Sequence, residues 1–511
     1  MSIPRPSKAD LLLAAQEHGY TLDDKQIEAY GRLTDNALNS YERIDELYAE
    51  HVAQPAPERV HHKPNAGENR YGAWYVKTQI KGADSGPLSG KTVVIKDNVA
   101  VAGVPMANGS YSIDGYVPSE DATVVTRLLA AGATVVGKAV CEDLCFSGAS
   151  FTSASGPVLN PWDTSRNAGG SSSGSAVLVL TGEADLAIGG DQGGSIRMPS
   201  AWSGTVGHKP TYGLVPYTGG FPIERTIDHL GPMGRTVRDV AMMLDVLAGP
   251  DGQDPRQKQV PEKTDTLSTL DAGVGSLRIG LLREGFGQPG VSDPNVDALI
   301  RSCAASLETV GASVVEVSAP WHALAMDLWN VIATDGASYQ MLQGNGYGLN
   351  YDGYYDPDIM AWFGENRIKY ADRLSHSVRA AALTGHYSLK TLHGAGYAKA
   401  RRLVAELTRQ YDAALGQCDV LVMPTIPFLP TPLTPQDAPI EEYASSALNM
   451  LSNTAPFDLS GHPATSVPAG LIDGLPVGLM VVARRFDDAM ALRVAAAFEG
   501  VRGAFGWSAD R

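Results

Sequence analysis

Residues 166–199 read RNAGGSSSGSAVLVLTGEADLAIGGDQGGSIRMP. Two Gly-Gly-Ser turns, Gly169-Gly170-Ser171 and Gly193-Gly194-Ser195, bracket an apolar strand pattern, ADLAIGG. Ordering so much glycine and serine is costly, because glycine loses more backbone entropy on folding than any other residue. A segment that stays ordered at that cost has a use for the backbone conformations or the hydroxyls it contains.

Outward from this segment, short apolar runs alternate with amphipathic stretches. TVVIKD and ATVVGKAV upstream, and LRIGLL, SVVEVS, DVLVMPT and PVGLMVVA downstream, read as strands, several apolar enough to be buried on both faces. Between them ATVVTRLLAAG, TVRDVAMMLDVLAG, PNVDALIRSCAASLETVG and YAKARRLVAELTRQYDAAL read as helices. This rhythm predicts an α/β fold with a mixed, mostly parallel sheet core covered by helices. Ile27, Tyr30, Leu33, Leu38, Tyr41, Ile44 and Leu47 recur at helical spacing, so residues 1–88 read as a helical N-terminal domain. Residues 320–395, rich in Trp, Tyr, Gly and Asp, break the rhythm and read as a cap. The division is then a core of 89–289 and 396–511 with a smaller cap domain over 290–395.

Composition narrows the function. The 511 residues are 44% hydrophobic and 19% charged, which excludes a disordered or low-complexity chain. With 40 Lys+Arg against 56 Asp+Glu the net charge is −16, which repels phosphate backbones and anionic bilayers, so neither nucleic acid nor membrane is an expected partner. No apolar run approaches the roughly 18 residues of a membrane span, and LLLAA near the start is too short for a signal peptide, so the expected location is cytoplasmic. Four cysteines are too sparse for a disulfide scaffold; Cys141 and Cys145 form a C-x3-C, one residue longer than the usual metal or redox spacing, and read as small core residues.

The glycine turns fit neither a G-x-x-x-x-G-K-[ST] phosphate loop nor a G-x-G-x-x-G dinucleotide turn. Structural turns and acyl-transfer chemistry both remain, the second because uncovered backbone N–H groups suit an oxyanion and a serine beside them suits attack on a carbonyl. Ser195 lies outside any G-x-S-x-G elbow, and no histidine has a positional tie to it. Lys96, in VVIKDNV at the end of an apolar strand, is either a lysine that reaches the surface there or a buried base.

These segments resemble a known family. Residues 169–200 resemble the amidase signature, and VVIKDNV and GHKPTYGLVPYTG fit the same family over about residues 90–505. GGDQGGSIR, FPIERTIDHLGP, CEDLCFSG and the helical N-terminal segment are similar to the stereoselective amidases found beside nitrile hydratases. The resemblance implies an amidase signature fold, a Ser-cis-Ser-Lys triad and hydrolysis of aliphatic or aromatic primary amides to acid and ammonia. By position, Ser195 is then the nucleophile, Ser171 the bridging serine after a cis bond from Gly170, and Lys96 the base. Backbone N–H groups of Gln192, Gly193, Gly194 and Ser195 form the oxyanion hole; Phe146, Asp191, Gln192, Trp329 and Leu451 meet substrate; Gly170 and Arg197 support the loop. Ser173 stands where many members have glycine, and His208, Asp228 and His229 read as structural.

The same triad suits an aryl-acylamidase or a carbamate or ester hydrolase, and related chains serve within amidotransferases. A non-catalytic binding module is disfavoured, since Lys96, Ser171 and Ser195 are all present. The relay uses only side chains and backbone, so no metal or organic cofactor is implied, and the resemblance of the helical N-terminal segment to those stereoselective amidases implies a homodimer.

Overall fold

The computed structural model of the chain describes residues 3–508. It divides into two compact units, Met1–Ala56 and Pro57–Arg511. The first is a helical pair, Lys8–Glu17 and Asp24–His51, each begun by a capping box. Ser7 and Asp23 accept from the backbone N–H three residues on, and Asp10 and Gln26 reach back to the cap N–H. Tyr30, Leu33, Tyr41 and Ile44 on the longer helix are exposed and fall on one face at 100° per residue.

The second unit is built on a 12-stranded sheet. Its strands run His61–His62, Trp74–Lys81, Thr134–Ala139, Thr92–Lys96, Leu186–Asp191, His229–Gly234, Val206–Lys209, Ala464–Ile472, Leu475–Val482, Val420–Pro424, Arg278–Leu282 and Ser313–Val317 in spatial order. The expected α/β fold with a mixed sheet is present, but the sheet is not mostly parallel as expected: seven of its strand pairings are antiparallel and four parallel. Its parallel pairings are confined to two wings: Thr92–Lys96 with Thr134–Ala139 and Leu186–Asp191, and Arg278–Leu282 with Val420–Pro424 and Ser313–Val317. The centre between the wings is antiparallel. The alternating helix-and-strand rhythm generated the wings; the centre adds antiparallel neighbours, among them the tight hairpin of Ala464–Ile472 and Leu475–Val482.

Two domain boundaries differ from expectation. The helical segment stops at His51, and Trp74–Lys81, inside the expected 1–88, pairs antiparallel with Thr134–Ala139. Its first residues, Trp74–Tyr75–Val76, are buried and its later ones partly exposed, so its apolar signal is short. The stretch expected as a cap from 290 also starts within the sheet layer, because Pro294–Ser306 packs on the sheet and Ser313–Val317 is an edge strand. Helices Ala325–Gly336, Pro357–Lys369 and His376–Leu392 follow, in the same compact unit as the sheet.

Helix Ser173–Leu180 is buried at every position. Its sequence, SGSAVLVL, is small or apolar all round, as a helix enclosed on all sides requires. It connects the first Gly-Gly-Ser turn to the fully buried strand Leu186–Asp191, whose carboxyl end carries the second. Lys96 ends the neighbouring parallel strand, in which Ile95 pairs with Ile188. Carboxyl ends of adjacent parallel strands are where open α/β sheets gather their ligands.

Candidate active site

The Lys96 side chain is wholly buried, so the surface alternative is excluded. Its Nζ donates to Ser171 Oγ at 2.8 Å and to the Gly190 carbonyl at 3.1 Å. Among the described residues it has no carboxylate partner.

The first turn is held by packing. The Gly170–Ser171 peptide is cis, and a Cβ on Gly170 would lie 1.9 Å from the Ala149 carbonyl oxygen, which excludes every other residue. Glu142, buried beside it, accepts from Thr152 N–H and Oγ1 and from Ser173 Oγ. Burial pushes the Glu142 carboxyl up to about 7 against the hydrogen bonds of Thr152 and Ser173. The two turns are joined by the backbone, Ser172 N–H donating to the Ser195 carbonyl at 3.2 Å.

The second turn is held by charge. Asp191 accepts from Gly194 N–H at 2.6 Å and Ile196 N–H at 3.1 Å, and Arg197 grips the same carboxylate through Nε at 3.0 Å and Nη2 at 2.9 Å. Arg197 also donates to Asp458 Oδ2 at 2.7 Å and to the Thr454 carbonyl at 2.8 Å. All three side chains are fully buried, and burial, with the Asp191 charge beside it, pushes the Asp458 carboxyl well above its ordinary value. Burial alone would raise the Asp191 carboxyl, yet the Arg197 charge and hydrogen bonds hold it well below the usual range. Thr454 Oγ1 donates to the Gly193 carbonyl at 2.6 Å, and Gly194, at φ +136°, leaves no room for a Cβ against that threonine.

Two expected roles change accordingly. Gly194 N–H is spent on Asp191 and is unavailable to an oxyanion. Asp191, enclosed by its turn and Arg197, is a brace and not a substrate contact. The backbone N–H groups of Gln192, Gly193 and Ser195 have no partner among the described residues. The Ser195 hydroxyl likewise makes no hydrogen bond among the described residues, and Ser195 lines a narrow cavity.

That cavity brings together Gln192, Ser195, Phe146, Trp329 and Leu451, which are scattered over some 300 positions of sequence. Phe146 and Trp329 stack at 6.5 Å and 25°, and Trp329 Nε1 donates to the Gln192 carbonyl at 2.8 Å. Ile223, Ile227 and Ala333 complete an almost wholly apolar lining. Sequence reasoning missed Asp458 and Thr454, which no local motif marks, and Cys145, which lines the same cavity. Cys141 and Cys145 both donate to Asn108 Oδ1, at 3.6 and 3.2 Å.

His208 binds Thr465 Oγ1 and Asp488, while His229 binds the Ile227 carbonyl and Lys209. Burial pushes Asp228 up to about 8. The described residues contain no cluster of His, Cys, Asp and Glu able to hold a metal ion, and no helix long and apolar enough to cross a membrane.

Comparison with known proteins shows what the chain is similar to. A family model described as Amidase matches residues 53–492. An enantioselective amidase of Rhodococcus rhodochrous is 50% identical over 501 residues, covering 97% of this chain and 96% of the relative. Among solved structures, a peptide amidase of Stenotrophomonas maltophilia superposes with a TM-score of 0.67 at 30% identity, over 81% of this chain and 83% of that one. A bacterial aryl acylamidase of the amidase signature family superposes with a TM-score of 0.67 at 28% identity, over 82% of this chain and 83% of that one.

Proposed function

The chain belongs to the amidase signature family and is an amide-bond hydrolase, and from that premise we propose that it converts aliphatic or aromatic primary amides to carboxylic acid and ammonia through an acyl-enzyme on Ser195. The observation that carries the mechanism is the 2.8 Å contact between buried Lys96 Nζ and Ser171 Oγ, on a turn tied by backbone to Ser195.

In this reading Lys96 takes the Ser171 proton while Ser171 Oγ takes the proton of Ser195. Ser195 Oγ then forms a bond to the amide carbonyl carbon. The link between the two serines closes when substrate fills the cavity, as catalytic hydrogen bonds often tighten in the Michaelis complex. The oxyanion is held by the free N–H groups of Gln192, Gly193 and Ser195. The relay then returns a proton to nitrogen, the C–N bond breaks and ammonia leaves. Water, deprotonated through the same relay, releases the acid and restores Ser195. Phe146, Gln192, Trp329 and Leu451 enclose the acyl group, and their apolar faces favour an uncharged one.

The N-terminal helical pair is assigned to homodimer formation through the exposed face of Tyr30, Leu33, Tyr41 and Ile44. The four cysteines are free, in keeping with a cytoplasmic location.

The test is ammonia or amine release from benzamide, propionamide, an anilide and glutamine, with mass spectrometry of the quenched enzyme. Primary amides turn over fastest, and an acyl adduct maps to Ser195. Undiminished amide hydrolysis by Ser195→Ala would overturn the mechanism, and a strong anilide preference would move the substrate class to aryl acylamides.

A further inference from the structure

Gln192 has a feature that the hydrolytic mechanism leaves unused. Its side chain is 97% buried, as its relative exposure is 3%, and it lines the cavity that Ser195 opens into. Its Nε2 donates to Tyr217 OH at 3.1 Å, whereas its Oε1 is buried with no hydrogen-bond partner among the described residues.

The orientation of this amide is fixed by its partner. Tyr217 OH has one proton, which it donates to the Phe221 carbonyl at 3.2 Å. It can then only accept from its other neighbours, and it accepts from Gln192 Nε2 and from Asn98 Nδ2 at 3.3 Å. Turning the Gln192 amide over would set its carbonyl oxygen against the tyrosine lone pairs. The backbone cannot rotate the side chain away either, because Trp329 Nε1 holds the Gln192 carbonyl at 2.8 Å. Oε1 is therefore an acceptor fixed in place and unpaired, on a residue that lines an almost wholly apolar site.

We infer that Gln192 determines selectivity for amides that carry an N–H, the substrate nitrogen donating a hydrogen bond to Gln192 Oε1. This deepens the proposed amidase reading and rests on Ser195 as nucleophile. A primary amide satisfies the buried acceptor. An ester or an N,N-disubstituted amide leaves it unpaired, and the ester oxygen also meets it lone pair to lone pair. The bond assists the chemistry as well. Once Ser195 has attacked, the nitrogen becomes tetrahedral, and fixing one N–H on Gln192 leaves its lone pair free to turn toward the Ser171 proton. Gln192 is thus a specificity residue, and Tyr217 acts through it as a positioning residue.

The experiment compares kcat/KM for benzamide and methyl benzoate in the full-length wild-type enzyme and in Gln192→Met, which keeps length and loses the acceptor. The expected result is a fall in the amide-to-ester ratio of at least ~10-fold, the amide losing more than the ester. A ratio unchanged within ~3-fold overturns the inference, including the case in which both substrates fall together through damage to the turn. Tyr217→Phe, which frees the amide to turn over, moves the ratio in the same direction and serves if the methionine variant does not fold. Should neither fold, Ser195→Ala binds benzamide at least ~10-fold more tightly than N,N-dimethylbenzamide, and equal affinities overturn the inference. Failure of the nucleophile assignment is distinct, since it appears as amide hydrolysis persisting in Ser195→Ala.

Discussion

Gly169-Gly170-Ser171 and Gly193-Gly194-Ser195 are the same tripeptide, yet the fold uses them in opposite ways. The first is enclosed: its serine hydroxyl is committed to Lys96, and a glycine is demanded by the Ala149 carbonyl. The second opens on a cavity with its hydroxyl unpaired, and a buried ion cluster shapes it along with close packing. A local sequence specifies that a turn exists. The surroundings decide whether its hydroxyl is a fixed partner or a free reactant.

The largest expected effect separates the two hydroxyls. Ser195→Ala lowers kcat/KM for a primary amide by ~10⁴-fold or more and removes all acyl adduct, whereas Ser171→Ala lowers turnover yet leaves Ser195 slowly acylated by an activated ester. Mass spectrometry of both variants reads the difference, and equal loss of the adduct would make the turns equivalent after all. Arg197→Met attacks only the second turn. It leaves Asp191 and Asp458 buried without their shared cation, so unfolding stability falls by about 3–5 kcal/mol in urea titration, with loss of activity.

The braces also differ in titration. Glu142, beside the first turn, is raised from 4.5 to about 7, so the folded protein holds its proton more tightly than the unfolded chain does. Its contribution is present below about 4.5 and is lost as pH rises through about 7, a change on the order of 1–3 kcal/mol. Glu142→Gln flattens that part of the stability profile, as thermal melting across the window will reveal. Asp191 shifts the other way, so the second turn keeps its ionised brace throughout that window and loses it only in strong acid. The smallest effect is at Thr454→Val, which removes one hydrogen bond to Gly193, costing about 1 kcal/mol and a few-fold in kcat.

Much of this was legible beforehand because periodicity is local. The strands at Thr92–Lys96, Thr134–Ala139, Leu186–Asp191 and Arg278–Leu282, and the helices between them, follow from apolar runs and helical spacing. Trp74–Lys81 was hidden because it is buried over only its first half, and Ala464–Ile472 because Pro468 and a bulge interrupt it. At the site, the motif pointed to Lys96, Ser171 and Ser195. The commitment of Gly194 N–H to Asp191 was not legible, since four successive N–H groups look alike until a carboxylate selects one. Nor was Asp458, whose tie to Arg197 spans 261 residues and leaves no periodic trace.

That span has a consequence for biosynthesis. Every member of the proposed relay lies before residue 200, but the carboxylate and threonine that hold the second turn, and the strand Ala464–Ile472 that closes the antiparallel seam, come much later. At translation rates of roughly 5–20 residues per second, Arg197 waits about 13–50 s on the ribosome before Asp458 is made. A nascent chain in that interval carries Lys96, Ser171 and Ser195 and lacks the Asp458 and Thr454 ties that hold the second turn.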